Sequence, residues 1–198
     1  AVPSLIFEEL PLPQRVIRDL ANENTAKIYV DSREIHGKLK EFVKEFVPSM
    51  NDRLLHYPGE RPIFDLYNVE DDIQKALQTR VALKSGGYLM IDQTEAMTTI
   101  DVNTGSYVGG RSLEDTVFKT NMEATQVIAR QLRLRNLGGI IIIDFIDMQT
   151  DDHRNRVIES LEEALSKDRV KTNVNGFTQL GLVEMTRKRT RESLEHVL

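Results

Sequence analysis

The run IIIIDFID at 140–147 constrains this chain more than any other stretch. A continuous apolar segment of that length predicts a strand buried on both faces, the kind that crossover helices cover. Its surroundings supply such helices. Ser112 opens one, with Asp115 three residues on at capping-box spacing, and Leu113, Val117, Ala124, Ile128 and Leu132 form its apolar stripe. Gly138-Gly139 reads as its stop. A second helix is predicted from Asp151 to Lys167, with Val157, Ile158, Leu161, Ala164 and Leu165 inward. Upstream, Gly86-Gly87 marks a turn before YLMID (88–92), and AMTTIDVNTG (96–105) follows as its hairpin partner. VKTNV and TQLGLVEMT look like closing strands. A right-handed βαβ crossover places strands 97–103 and 140–147 parallel in one sheet, so the fold class is α/β.

The first half is less regular. AVPSLIFEELPLP, with Pro3, Pro11 and Pro13, reads as an irregular lead-in, followed by a short helix within QRVIRDLANENT. AKIYVDS (26–32) has strand alternation. Ile35, Leu39, Phe42, Val43 and Phe46 give Glu34–Val47 helical spacing, stopped by Pro48. HYPGERPIF (56–64) is a loop, and Val69–Leu83 returns to helical spacing through Ile73, Leu77 and Val81.

Composition narrows the functional classes. With 26 Lys+Arg against 31 Asp+Glu the net charge is −5, which excludes a globally basic nucleic-acid glove but not local basic patches. Cysteine is absent, so these residues hold no disulfide framework, cysteine nucleophile or cysteine-based zinc site. No apolar run reaches the roughly 18 residues of a membrane span, and no secretory signal is visible.

The chemistry concentrates on two acids. Asp101 lies near the carboxyl end of its strand and Asp144 late in the apolar strand. On neighbouring parallel strands their backbones stand about 4.8 Å apart, and two unpaired carboxylates there repel. A hard divalent cation such as Mg²⁺ answers that repulsion, since it is commonly held by one or two carboxylates while keeping waters. Carboxyl ends of parallel strands are also where α/β sheets place ligands. Asn103, two residues after Asp101, shares its face and is placed to orient a carboxylate or a metal-bound water. Asp147, three residues after Asp144, is expected to face the other way as a strand-end or cap residue. The bland reading of Asp101 and Asp144 themselves is also that of strand-end caps.

Other features are weaker. TGSYVGGRS leads into a helix start, a possible anion site without phosphate-loop spacing. RQLRLR (130–135) sits at a helix end, where cations complement the dipole. TRKRTR (186–191) is the densest basic run; Arg187, Lys188 and Arg189 are its candidates for RNA-backbone contact, against the alternative of a solvated face. The four histidines lack metal-ligand spacing.

Three segments, GGYLMIDQTEAMTTIDVNTG (86–105), LEDTVFKTNMEATQVIARQLRLRNLGGIIIIDFIDM (113–148) and NGFTQLGLVEMTRKRTRESLEHVL (175–198), closely resemble the bacterial ribonuclease E/G family. The resemblance implies an endoribonuclease that cuts single-stranded A/U-rich RNA in RNA processing and decay, including rRNA maturation. It implies Mg²⁺ at Asp101 and Asp144, with Asn103 in support. A metal-activated water would attack the scissile phosphate and leave a 5′-phosphate and a 3′-hydroxyl. It further implies a lead-in from a 5′-sensor domain over 1–12, part of a ribonuclease-H-like subdomain over 13–78 and a DNase-I-like catalytic subdomain with a βαβ core over 79–198. A zinc-binding cysteine motif is expected beyond Leu198, with a homo-oligomer and a cytoplasmic location for the complete protein. This piece alone is expected to fold but to cut weakly. The competing readings are a non-catalytic RNA-binding or interaction module with a decayed site and, third, a nucleotide-binding α/β protein.

Overall fold

In the computed structural model, which describes residues 9–105 and 113–197, the chain divides into two units, residues 1–70 and 71–198. The first begins with α1 (Leu12–Leu20), whose first turn contains Pro13. A proline there gives up an N–H that has no helical partner anyway, so the lead-in turns helical earlier than its prolines suggest. β1 (Ile28–Val30) pairs in parallel with β2 (Leu54–His56). Between them runs α2 (Arg33–Phe46), capped by Ser32, whose Oγ accepts from the Ile35 N–H at 3.2 Å. The expected loop at 56–64 gives up His56 to β2 and its end to α3 (Ile63–Leu66). Ile17, Leu39, Phe42, Val43, Met50 and Leu54 form the core of this unit.

α4 (Val69–Ala76) is shorter than its spacing predicts, because Val81 belongs to β3 (Arg80–Ala82), paired antiparallel with β4 (Tyr88–Gln93). Sheet pairing overrides the local helical period there. Both oxygens of Glu123 accept N–H groups of the β3–β4 turn, from Lys84 at 2.5 Å and Ser85 at 2.9 Å. β5 (Met97–Asn103) completes the hairpin with β4 and runs parallel to β6 (Gly139–Asp144). α5 (Leu113–Leu134) crosses over between them, and its expected cap, Ser112, lies outside the described residues. α6 (Asp151–Ser166) is capped by Thr150. β7 (Thr172–Phe177) and β8 (Val183–Arg187) close the sheet in the order β3-β4-β5-β6-β8-β7, and α7 (Leu194–Val197) follows. The expected α/β class holds, with a mixed sheet.

α5 does not stop at Gly138-Gly139. Asn136 takes the left-handed conformation (φ 50°). The Leu137 N–H reaches back to the Leu132 carbonyl and the Asn136 N–H to that of Arg133, the paired bonds of a Schellman stop.

One row of side chains, Leu89, Ile91, Ile100, Val102, Ile141, Ile143, Val183 and Met185, faces the core with α5 and α6. The alternate row faces away from both helices. Ile140 is 50% exposed and Ile142 half-buried, so the apolar run is covered on one face rather than two. Within this six-stranded sheet only β5 and β6 run parallel, and their single crossover leaves the opposite face of the sheet open. Leu113, expected in the α5 stripe, is exposed. No helix of the described residues is long and apolar enough to cross a membrane.

Candidate active site

Asp101 and Asp144 are register partners across the β5–β6 pair, both exposed, on the open face of the sheet. Each sits on the alternate row because its preceding neighbour, Ile100 or Ile143, is packed into the core. Asn103 lies two residues further along β5, and its Nδ2 donates to Asp101 Oδ2 at 2.9 Å. The turn leading into β4 comes close beside it at Gly87, where any Cβ would stand 2.5 Å from the Asn103 carbonyl oxygen, so only glycine fits.

The electrostatics are those of unneutralised carboxylates. Partial desolvation raises the Asp144 carboxyl above its ordinary value even though the residue is exposed, and the charges of Asp101 and then Asp147 raise it further. The charge of Asp147 thus acts on Asp144 from beyond the strand end. β6 ends at Asp144, and strand alternation no longer governs the residues after it. Among the described residues, no ion pair reaches Asp101 or Asp144.

Asn121 shapes this exit from β6. Fully buried in α5, it donates from Nδ2 to the Ile146 carbonyl at 2.8 Å and accepts the Ile146 N–H at 3.1 Å. Both backbone groups just after Asp144 are thus held by one amide. The signal was legible: Asn121 occupies the gap in the apolar stripe between Val117 and Ala124, where only a polar residue with buried partners belongs.

The donor set suits a hard cation. Two carboxylates, one fixed by an amide, offer oxygen ligands, while no group of three His, Asp or Glu side chains able to enclose a metal occurs among the described residues. Such a site leaves positions for water and substrate oxygens, as Mg²⁺ sites commonly do.

The basic run divides. Arg187 is not an RNA-facing residue, because its side chain is 4% exposed and pairs with the equally buried Asp168, Nε to Oδ2 at 2.8 Å. Its Nη1 donates to the Leu137 carbonyl at 2.9 Å and to Asn136 Oδ1 at 3.1 Å. Strand alternation turns Arg187 inward. Lys188 and Arg189 are exposed, and Arg189 Nε donates to the Gly138 carbonyl at 3.2 Å. Arg187 pairs with Gly139 at the start of β6, so this run lies at the opposite end of the strand from Asp144, roughly 17 Å away at 3.3 Å per residue. Arg135 of RQLRLR is also buried, donating to Gln131 and to the Gln78 carbonyl. Of the loop TGSYVGGRS, residues 106–112 lie outside the described residues. His153 stacks on Phe118 at 4.2 Å between ring centroids and touches Glu114, a packing role rather than a ligand set.

A mixed sheet with helices on one face and a strand-end carboxylate pair on the other defines an α/β protein with an acidic site on the open face of its sheet. Comparison with known proteins gives the lineage. The profile of the Ribonuclease E/G family matches residues 1–190, and the chain belongs to that family. It is 68% identical over 195 residues to ribonuclease G of Haemophilus influenzae, covering 98% of this chain and 40% of that protein. It is 67% identical over 193 residues to ribonuclease G of Escherichia coli K12, again 98% and 40%. Ribonuclease E of Haemophilus influenzae is 41% identical over 192 residues, 97% of this chain and 20% of that protein. The chain thus spans about 40% of the length of the ribonuclease G relatives it matches.

Proposed function

We propose that this chain carries the catalytic centre of an Mg²⁺-dependent endoribonuclease acting on single-stranded, A/U-rich RNA, leaving a 5′-phosphate and a 3′-hydroxyl. The observation that carries the reading is the in-register pair Asp101–Asp144 with Asn103 bound to Asp101. Asp101 and Asp144 hold the metal. When bound, Mg²⁺ supplies an activated water and neutralises charge on the phosphoryl oxygens. Asn103 occupies Asp101 Oδ2, which leaves Oδ1 as the freer ligand atom and fixes its direction. Asp147 adds negative charge beside Asp144, strengthening cation attraction where the substrate phosphate must be balanced. The open face of the sheet gives an RNA strand access to both acids. Lys188 and Arg189 hold its backbone several nucleotides away. Residues 79–198 serve as the DNase-I-like catalytic subdomain, following a ribonuclease-H-like one. The complete protein is a cytoplasmic homo-oligomer.

The test is cleavage of a 5′-monophosphorylated single-stranded RNA with and without Mg²⁺. Expected is metal-dependent cutting that falls to background in Asp101→Asn and Asp144→Asn, with melting curves retained. Asn103→Ala is expected to lose about 10–100-fold, as groups that orient ligands do. Undiminished cutting by either aspartate variant refutes the assignment.

A further inference from the structure

Gly138-Gly139 is not the stop of α5, so its two glycines need another reason. Arg189 supplies it. A Cβ at Gly138 would stand 3.0 Å from Arg189 Cγ. One at Gly139, which takes φ 93°, would stand 2.7 Å from Arg189 Nε and 2.9 Å from its Nη2. The arginine side chain lies against the backbone of the pair, a seat that only glycine leaves open. Its Nε donates to the Gly138 carbonyl at 3.2 Å, a bond that uses neither Nη group.

This seat borders a cavity of about 440 Å³, lined by Asn136, Gly138, Arg189, Arg191, Ser193 and His196, among others. The end of α5 fixes the residues that follow β8. Asn136 Nδ2 donates to the Arg191 and Glu192 carbonyls at 3.3 and 3.1 Å, and the Leu194 N–H donates to the Arg135 carbonyl at 2.9 Å. Ser193 in this stretch is 6% exposed, and its buried Oγ has no hydrogen-bond partner among the described residues. A buried hydroxyl without a partner is costly; one that lines a cavity is satisfied by what enters it. Arg189 and Arg191 make no ion pair among the described residues, and Glu192 is the one acid of the lining. No aliphatic side chain and no Phe, Tyr or Trp lines the cavity.

We propose that this cavity binds a phosphate group, with Arg189 and Arg191 as charged donors and Ser193 Oγ as the neutral one, and that the phosphate is a backbone phosphodiester of the RNA. A guanidinium fork matches phosphate oxygens, and the hydroxyl adds the donor that the fold leaves unpaired. The volume lies within the roughly 300–1,000 Å³ of ligand pockets, which gives room for the sugars on either side of a phosphodiester. A lining without apolar surface holds no base, so the contact positions the strand and carries no sequence preference. Gly138 directly precedes β6, and the acid pair lies at the other end of that strand. The bound phosphate is therefore not the scissile one and anchors the strand several nucleotides from it. The identity of the polyanion rests on the endoribonuclease reading; the phosphate site stands on its own residues.

The test is titration of the chain in Mg²⁺-free buffer with inorganic phosphate, uridine 5′-monophosphate and an oligouridylate that has no terminal phosphate. Amide shifts of Gly138 and Ser193 report this site and that of Asp144 the acid pair. Expected are shifts at Gly138 and Ser193 with all three probes, none at Asp144 with inorganic phosphate, and oligomer binding about tenfold or more tighter than either small probe. Ser193→Ala is expected to weaken the oligomer about tenfold or more, the size of a hydrogen bond to a charged group. It is also expected to melt no lower than the parent, since the hydroxyl it removes has no partner. Gly138→Ala, whose methyl displaces the Arg189 stem, is expected to weaken the oligomer as much as Arg189→Gln, which leaves both glycines in place. Parental affinity in folded Ser193→Ala or Arg189→Gln overturns the site, and so does a Ser193→Ala that melts below the parent. Shifts with the small probes but not with the oligomer, or uridine monophosphate binding as tightly as the oligomer, overturn the RNA backbone as the source of the phosphate. Because binding is read without cleavage, loss of the site with Asp-dependent cutting intact removes this inference alone. Shifts at the same amides in a chain that shows no Mg²⁺-dependent cutting remove the nuclease reading and uphold the phosphate site.

Discussion

Replacing Arg187 by Met deletes a guanidinium that makes four hydrogen bonds in a closed environment: two to Asp168, one to the Leu137 carbonyl and one to Asn136 Oδ1. The aliphatic stem is kept, so the cost comes from the groups left behind. Asp168 retains the Val170 N–H at 3.0 Å and the more distant charge of Arg133, and its side chain is 4% exposed. Breaking one side of a buried pair costs about 3–5 kcal/mol, mostly from the stranded charge. For a unit of this size that lowers the melting temperature by roughly 10–20 °C. The pH dependence carries the signature. Burial pushes the Asp168 carboxyl up, but the Arg187 guanidinium and the Val170 N–H outweigh it and hold the carboxyl below its ordinary value. A lowered carboxyl contributes stability that is fully present above its unfolded value, about 3.9, and is lost as pH falls through the folded one. In Arg187→Met burial raises the stranded carboxyl above its ordinary value, so the deficit against the parent is expected to begin shrinking above about pH 4 and to go on shrinking as pH falls toward the parent's lowered carboxyl. Urea denaturation across pH 3–7 reads this, and Arg187→Met/Asp168→Asn is expected to recover part of the loss at pH 7. Unchanged stability in Arg187→Met, together with weakened RNA binding, would refute the buried-pair argument and return Arg187 to the RNA-facing surface.

Lys188→Ala/Arg189→Ala is expected to leave stability unchanged and to reduce the salt slope of RNA binding by about 0.7 per lost phosphate contact; an identical slope sinks their backbone role. Asn121→Leu removes both hydrogen bonds to Ile146, each stranded backbone group costing about 1–3 kcal/mol. A lowered urea midpoint together with reduced cleavage is expected, and a stable variant of parental activity contradicts the positioning argument. In metal-free buffer Asp144→Asn is expected to melt no lower than the parent at neutral pH. Its raised carboxyl makes the charged form a liability above the folded value, one that acid relieves. Mg²⁺ is expected to raise the melting point of the parent and not of this variant, and equal shifts in both would place the cation elsewhere.

The local periodicities were enough to set out α5, β6 and α6, and with them the crossover that brings β5 and β6 together. Asp101, Asn103 and Asp144 were legible because strand alternation is local: once Ile100 and Ile143 are inward, the acids after them are outward. What tertiary structure decided is whatever depends on a partner distant in the chain. Val81 has helical spacing from Leu77, yet β4 recruits it into the sheet. The isoleucine run looked buried on both faces, yet no helix covers the second. Arg187 is one cation among several in the sequence, and only Asp168, 19 residues away, and the end of α5 turn it into a core residue. Strand alternation continued through residue 147 turns Asp147 away from Asp144. β6 stops at Asp144, Asn121 holds the chain at Ile146, and the charge of Asp147 is felt by Asp144. Alternation and amphipathic spacing are properties of neighbouring residues, so the sequence carries them alone. Burial of a charge and the end of a strand depend on what packs against them, and that exists only once the sheet has formed.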